Sequence, residues 1–178
     1  MRRPAAKGNR WEDHYTRQAR KERYPARSVY KLQELQKRVG VIRKGDAVLD
    51  LGCAPGSWLI HAAELTGPSG RVVGIDLTPV TAGLPPQAEA RVQDVFALVE
   101  NPVEFFGQSF DAVLSDMAPS TTGSRGVDAA RSYALCEAAL AIALRVLRPG
   151  GAFVCKIFKP QSCRKASKEI YLIGKGRK

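Results

Sequence analysis

The segment Val48-Leu-Asp-Leu-Gly-Cys-Ala-Pro-Gly-Ser-Trp58 constrains this chain more than any other. It reads as an apolar strand over 47–51 that ends in a carboxylate, a Gly-rich turn, and a helix over 58–66. Gly52 and Gly56 carry no Cβ, so the backbone can turn sharply there and lie close to a ligand. The helix that follows offers unpaired backbone N–H groups at its first turn. In an open α/β sheet, small molecules bind beyond the carboxyl end of the first strand. The spacing Asp-x-Gly-x-x-x-Gly is neither the Gly-x-Gly-x-x-Gly of dinucleotide folds nor the phosphate-binding Gly-x-x-x-x-Gly-Lys-Ser/Thr. The plain alternative is a strand–turn–helix connection with no ligand.

The rest of the chain repeats this alternation. Residues 28–39 form a helix with an apolar stripe of Val29, Leu32, Leu35 and Val39, a possible Ser28 cap and a Gly40 stop. Strands are expected over 71–75, 91–93, 110–114, 152–157 and 170–173. A short helix and turn should occupy 101–110, a loop 116–125, and a long Ala/Leu helix 127–147, stopped by Arg148-Pro149-Gly150-Gly151. This rhythm predicts an α/β fold, a mostly parallel sheet with helices on both faces. Residues 1–178 are expected to form one domain, with 45–155 as the sheet body and 1–44 as an extension packed on it.

Charge divides the chain in the same way. Residues 1–44 hold fourteen Lys/Arg against four Asp/Glu, residues 45–155 six against twelve, and residues 156–178 eight against one. Two basic ends on an acidic body point to a polyanionic partner. Trp11, Tyr15, Tyr24 and Tyr30 interleave with the N-terminal cations, which suits phosphate contacts combined with base stacking on RNA. A basic N-terminal RNA-binding extension is therefore the expectation for 1–44, against the plainer reading of a solvated basic tail. No apolar run reaches membrane-spanning length, and the opening residues do not read as a secretory signal. Cys53, Cys136, Cys155 and Cys163 form no Cys-x-x-Cys pair, and His14 and His61 lie far from them in sequence. Neither a metal site nor a disulfide framework is expected. The cysteines in apolar contexts read as core residues, and the cytoplasm is the expected compartment.

Four carboxylates, Asp50, Asp76, Asp94 and Asp116, stand where strands end, and in a parallel sheet those ends share one rim. Asp76 is placed to accept from both hydroxyls of a ribose, and Asp94 from an adenine amino group, unless Asp94 only forms a turn. Asp50 is expected to order the Gly turn, and Trp58 either to wall the pocket or to pack in the core. Lys156 lies in Ala-Phe-Val-Cys-Lys-Ile-Phe, where a buried lysine is costly unless paired or functional. Lys31, Asp116, Lys156 and Glu169 would together put two lysines and two acids around one substrate hydroxyl.

With those residues in place, the chain resembles the FtsJ/RrmJ family of ribosomal RNA 2′-O-methyltransferases. The matching stretches are 26–32, 48–58, 74–77, 93–95, Leu-Ser-Asp-Met-Ala-Pro at 114–119, 147–151, Cys-Lys-Ile-Phe at 155–158 and 163–171. The resemblance implies a Rossmann-like class I methyltransferase fold with S-adenosylmethionine as cofactor. It implies Lys31, Asp116, Lys156 and Glu169 as a catalytic tetrad, with Gly52, Pro55, Gly56, Trp58, Asp76, Asp94 and Asp116 at the cofactor site. The substrate it implies is a ribose 2′-hydroxyl, that of a uridine, in ribosomal RNA or the large ribosomal subunit. DNA, lacking that hydroxyl, and membranes are not expected partners, and a monomer suffices. Transfer RNA or an mRNA cap as substrate, and a non-catalytic RNA-binding assembly factor, are the alternatives.

One departure accompanies the resemblance. The family carries a helix and a further strand between the second tetrad lysine and the segment holding the tetrad glutamate, whereas twelve residues separate Lys156 from Glu169 here. A parallel crossover needs about a dozen residues or more, usually with a helix. The sequence reading favours a segment passed over by the numbering, rather than a chain short at this point, and it leaves Glu169 the least constrained of the four.

Overall fold

The computed structural model describes residues 10–158 and 169–176. Five parallel strands are Ala47–Leu51 (β1), Arg71–Asp76 (β2), Ala88–Val92 (β3), Phe110–Ser115 (β4) and Leu147–Phe158 (β5). A sixth, Glu169–Lys175 (β6), pairs antiparallel with β5 and completes the order β3-β2-β1-β4-β5-β6. Successive strand residues face opposite sides of a sheet, and here both sides are apolar. Leu49, Leu51, Val73, Ile75, Val113 and Cys155 pack on one side against the helices Val95–Leu98 (α4), Pro102–Phe106 (α5) and Arg125–Val146 (α6). Val48, Val72, Ala112, Leu114 and Val154 pack on the other against Val29–Val39 (α2) and Ser57–Thr66 (α3). Burial on both faces is what a parallel sheet requires. It explains why β1, β2 and β4 read as near-continuous apolar runs.

The expected α2 stripe holds: Val29, Leu32 and Leu35 are buried, and Gly40 ends the helix in the left-handed region with its N–H on Gln36 O. Ser28, however, is not a side-chain cap; its backbone is already helical, and its carbonyl accepts from Trp58 Nε1 at 2.8 Å. The short helix expected within 101–110 is α5, at 102–106, and α4, at 95–98, is a further one-turn helix that the pattern did not show. The third strand lies earlier than read from the pattern, at 88–92, because Ala88 already pairs with Val72. The sequence Ala-Glu-Ala-Arg-Val has little strand-forming character. Residues 148–151 do end α6, yet they belong to β5: Leu147 pairs with Phe110, and the register slips between Phe110 and Ala112.

The last strand runs antiparallel to its neighbour β5. Phe158 and Glu169 face each other at the end of an antiparallel ladder, so the ten residues between them need make no parallel crossover. Cys163 lies outside the described residues.

The N-terminal helix Arg10–Lys21 (α1) joins the body through Ala19, Tyr24 and Val29, which cluster with Tyr30 and with Ile60 of α3. Two bonds secure this seam: the Tyr24 hydroxyl donates to Glu64, and Ala26 N–H donates to Ser57 Oγ at 2.7 Å. Tyr24 is thus a buried structural residue and not an exposed stacking ring. Among the described residues no helix is long and apolar enough to cross a membrane.

Candidate active site

The carboxyl ends of β1, β2 and β4 open onto a cleft of about 400 Å³ lined in part by Gly52, Asp76, Asp94, Phe96, Asp116 and Met117. Gly52 has φ +83°, and a Cβ there would lie 2.5 Å from Met117 Cγ and 3.0 Å from Met117 Cα. The turns after β1 and β4 therefore meet backbone to backbone, which only glycine permits. Gly56, at φ +110°, starts α3; a Cβ there would lie 2.9 Å from Val80.

Asp76 is held by two backbone donors, Ala54 N–H to Oδ2 at 3.0 Å and Thr78 N–H to Oδ1 at 2.8 Å. Each oxygen keeps a further lone pair for the cleft. Asp94 forms a turn, its Oδ1 capping α4 by accepting from Phe96 N–H at 2.9 Å, and the residue also lines the cleft. Leu77 and Phe96 are exposed apolar residues at the rim, which the sequence reading did not single out.

Three expected cofactor residues stand elsewhere. Pro55 and Gly56 shape the turn but are not among the lining residues. Trp58 is 3% exposed and packs in the core between α2 and β6. Its ring stacks on Tyr171 at 6.0 Å between centroids, so it supports the site from behind. Asp50 does not order the Gly turn as expected. It is fully buried, and among the described residues neither carboxylate oxygen has a hydrogen-bond partner. Burial, reinforced by the charges of Asp116 and Asp76, pushes its carboxyl well above the usual range.

At one end of the cleft the structure brings together Lys156, Asp116 and Tyr171. Lys156 is 6% exposed, and its ammonium donates to Asp116 O at 2.6 Å and stands 3.1 Å from Asp116 Oδ1. The Tyr171 hydroxyl donates to the same Oδ1 at 2.7 Å. Lys31 Nζ lies 5.9 Å from the Tyr171 ring centroid, and so reaches the cluster from α2. Glu169 is placed by its backbone at the start of β6, two residues before Tyr171; its side chain lies outside the described part. Three of the four expected tetrad residues thus converge.

Tyr171 is the member of this cluster that the sequence reading did not single out. Its signal was the strand period: position 171 lies on the same face of the strand as 169, and β6 sets it opposite Lys156. Cys53, Cys136 and Cys155 are buried free thiols, and burial raises the Cys53 and Cys155 thiols far above their ordinary value. They are core residues, as expected.

Chemically, the cleft joins a carboxylate-lined pocket to a buried lysine–carboxylate pair. It suits a donor ligand bearing hydroxyls and amino groups, set beside a group that handles a proton. The chain matches the FtsJ-like methyltransferase model over residues 24–159. It is 60% identical to a ribosomal RNA large subunit methyltransferase E of Desulforapulum autotrophicum, across 97% of this chain and 96% of that one. It is 46% identical to the protein of the same name from Desulfosudis oleivorans, across 100% and 97%. That second alignment runs over 200 positions, so about 22 of them have no counterpart among the 178 residues here. The fold is shared with a Plasmodium falciparum structure assigned as a ribosomal RNA methyltransferase, at TM-score 0.70 and 23% identity, covering 86% of this chain and 98% of that one.

Proposed function

This chain belongs to the FtsJ-like methyltransferase family, and from that premise we propose that it transfers the methyl group of S-adenosylmethionine to a ribose 2′-hydroxyl, that of a uridine, in large-subunit ribosomal RNA. It is a ribosomal RNA methyltransferase. The observation that carries the hydroxyl as acceptor is the meeting of Lys156, Asp116 and Tyr171 beside the cleft, with Lys31 adjoining.

The cleft residues fit S-adenosylmethionine. Asp76, Asp94 and Asp116 line it and give it a negative wall, matched to a ligand with a cationic end. Asp76, oriented by Ala54 and Thr78, would take the ribose hydroxyls, and Asp94 the adenine amino group. Gly52 lines the cleft and lets the turns after β1 and β4 close together beneath the ligand. When bound, this donor supplies a methyl group activated by its sulfonium.

The chain's own residues must then hold the acceptor hydroxyl in line and take its proton as the new bond forms. Lys156 enters the step as the neutral amine, its own proton first released to solvent, and it receives the hydroxyl proton as the O–CH3 bond forms and the donor's S–CH3 bond breaks. Asp116 Oδ1 and O hold the resulting ammonium in place, and Tyr171 fixes Asp116. Lys31, beside the Tyr171 ring, orients the hydroxyl, and the family resemblance implies Glu169 as its counterpart. DNA lacks this hydroxyl and is not a substrate.

The test is tritiated methyl transfer to large subunits, small subunits and bulk transfer RNA from cells lacking the enzyme, with Lys156→Ala alongside. Label should appear as a 2′-O-methylnucleoside in large-subunit RNA, and Lys156→Ala should abolish transfer while donor affinity stays near that of the wild type. Label in transfer RNA instead would move the substrate, and full turnover by Lys156→Ala would remove the lysine from its role.

A further inference from the structure

Beside α2, and outside the cleft, lies a cluster of aromatic rings that the transfer reaction does not use. Tyr15 of α1 is 44% exposed, its ring centroid 5.5 Å from that of Tyr30 at an interplanar angle of 54°. His14 meets Tyr15 edge-on at 5.6 Å. Tyr15 precedes the buried Ala19 by one helical turn, so it continues the row by which α1 packs on α2 and emerges where that row opens to solvent. The Tyr30 hydroxyl donates to Glu22 Oε2 at 3.1 Å, which fixes the second ring. Burial, reinforced by the neighbouring Glu22, pushes the Tyr30 phenol up to about 12, so the ring stays neutral at physiological pH.

The rings are tilted, so they do not cover each other face to face, and a ring surface of Tyr15 remains open. Around them Arg17, Arg20, Lys21, Arg23 and Arg27 are exposed, and Glu22 is the single exposed acid among the described side chains between 14 and 30. An open aromatic face among cations is the combination that binds single-stranded nucleic acid: the cations follow the phosphates, and the ring takes an unstacked base. A base within a duplex has no free face to offer.

We propose that Tyr15, backed by Tyr30, is a stacking platform for an unpaired base of the RNA substrate, so that the enzyme recognises a single-stranded or looped segment next to its target ribose. This rests on the reading of the chain as an RNA methyltransferase and names a subsite of that substrate. Tyr30 and Lys31 are adjacent on α2, where successive side chains diverge by about 100°. The platform therefore flanks the reaction centre and lies outside it.

The test measures binding of the full chain to a mixed-sequence single-stranded oligoribonucleotide by fluorescence anisotropy from 50 to 200 mM salt, together with KM and kcat on methyl-deficient large subunits. Tyr15→Leu should weaken Kd about tenfold at every salt concentration without altering the salt slope, because stacking releases no counterions. KM should rise in step while kcat at saturating RNA holds, and Tyr15→Phe, which keeps the ring, should bind as the wild type does. Arg17→Gln should instead make the slope shallower by about 0.7. Unchanged Kd and KM in Tyr15→Leu would overturn the platform, as would a lowered melting temperature with unaltered Kd, the mark of a purely structural tyrosine. Failure of the wild type to methylate ribosomal RNA would reject the proposed function instead, and the oligoribonucleotide affinities would still report on the platform.

Discussion

Tyr171 and Lys156 are partners across the antiparallel β5–β6 ladder, and both reach one oxygen, Asp116 Oδ1, at 2.7 and 3.1 Å. The tyrosine donates into the carboxylate and the lysine stands as its counter-ion, so Asp116 is held from two strands at once.

Tyr171→Phe keeps the ring against Trp58 and removes only the hydroxyl. A hydrogen bond to a charged group contributes about 1.5–3 kcal/mol, and only part of it is at stake in the transition state. The expected result is a kcat about tenfold lower with little change in donor affinity, measured by single-turnover methyl transfer. An unaltered kcat would show that Lys156 alone suffices to place Asp116.

Asp76→Ala should weaken S-adenosylmethionine binding by roughly 10- to 100-fold, the range set by losing hydrogen bonds to a charged acceptor. Titration calorimetry reads this directly. Wild-type affinity in the variant would take Asp76 out of the donor site and leave it a purely structural acceptor for Ala54 and Thr78.

Asp50 makes stability depend on pH. Its folded-state carboxyl is held well above the ordinary value of 3.8 by burial and by Asp116 and Asp76. A group raised in the folded state contributes fully below its unfolded value and loses that contribution as pH rises towards its folded value. Relative to Asp50→Asn, which cannot ionise, the wild type should lose stability progressively from about pH 4 upward. Urea unfolding of both proteins from pH 4 to 7 measures the difference, and parallel curves would contradict the buried, unpartnered carboxyl.

Gly52→Ala forces a Cβ to within 3.0 Å of Met117 Cα at a φ of +83°. Strain of that kind costs roughly 1–3 kcal/mol. The variant should melt several degrees lower and bind the donor less well, by thermal denaturation and calorimetry respectively. Normal values for both would mean that the β1 and β4 turns can move apart freely.

Much of this was legible in the sequence, for identifiable reasons. Strands buried on both faces announce themselves as apolar runs, so β1, β2 and β4 were readable, and Asp76, Asp94 and Asp116 fell on one rim as parallel topology demands, whereas Asp50 is buried behind it. Lys156 stood out because a lysine among Phe, Val, Cys and Ile needs a partner, and Asp116 is that partner. What escaped depends on contacts distant in sequence. Nothing local to Trp58 says that Ser28 takes its N–H and Tyr171 its face. Asp50 reads like any strand-end acid, and its isolation comes from neighbours on other strands. The direction of β6 was hidden because a short apolar run has the same pattern in either orientation, and only the pairing distinguishes them. Tyr15 and Tyr24 look alike in a basic helical stretch, yet one is exposed and the other buried against α3.

The functional groups divide along the chain. The described cleft residues all fall between Gly52 and Leu135, whereas Lys31, Lys156 and Tyr171 lie to either side of that interval. In the proposed function, donor handling thus lies in the interior of the chain and most of acceptor handling in its flanks, and Asp116 is the residue that belongs to both. A change in either flank therefore reaches the donor cleft through that one carboxylate.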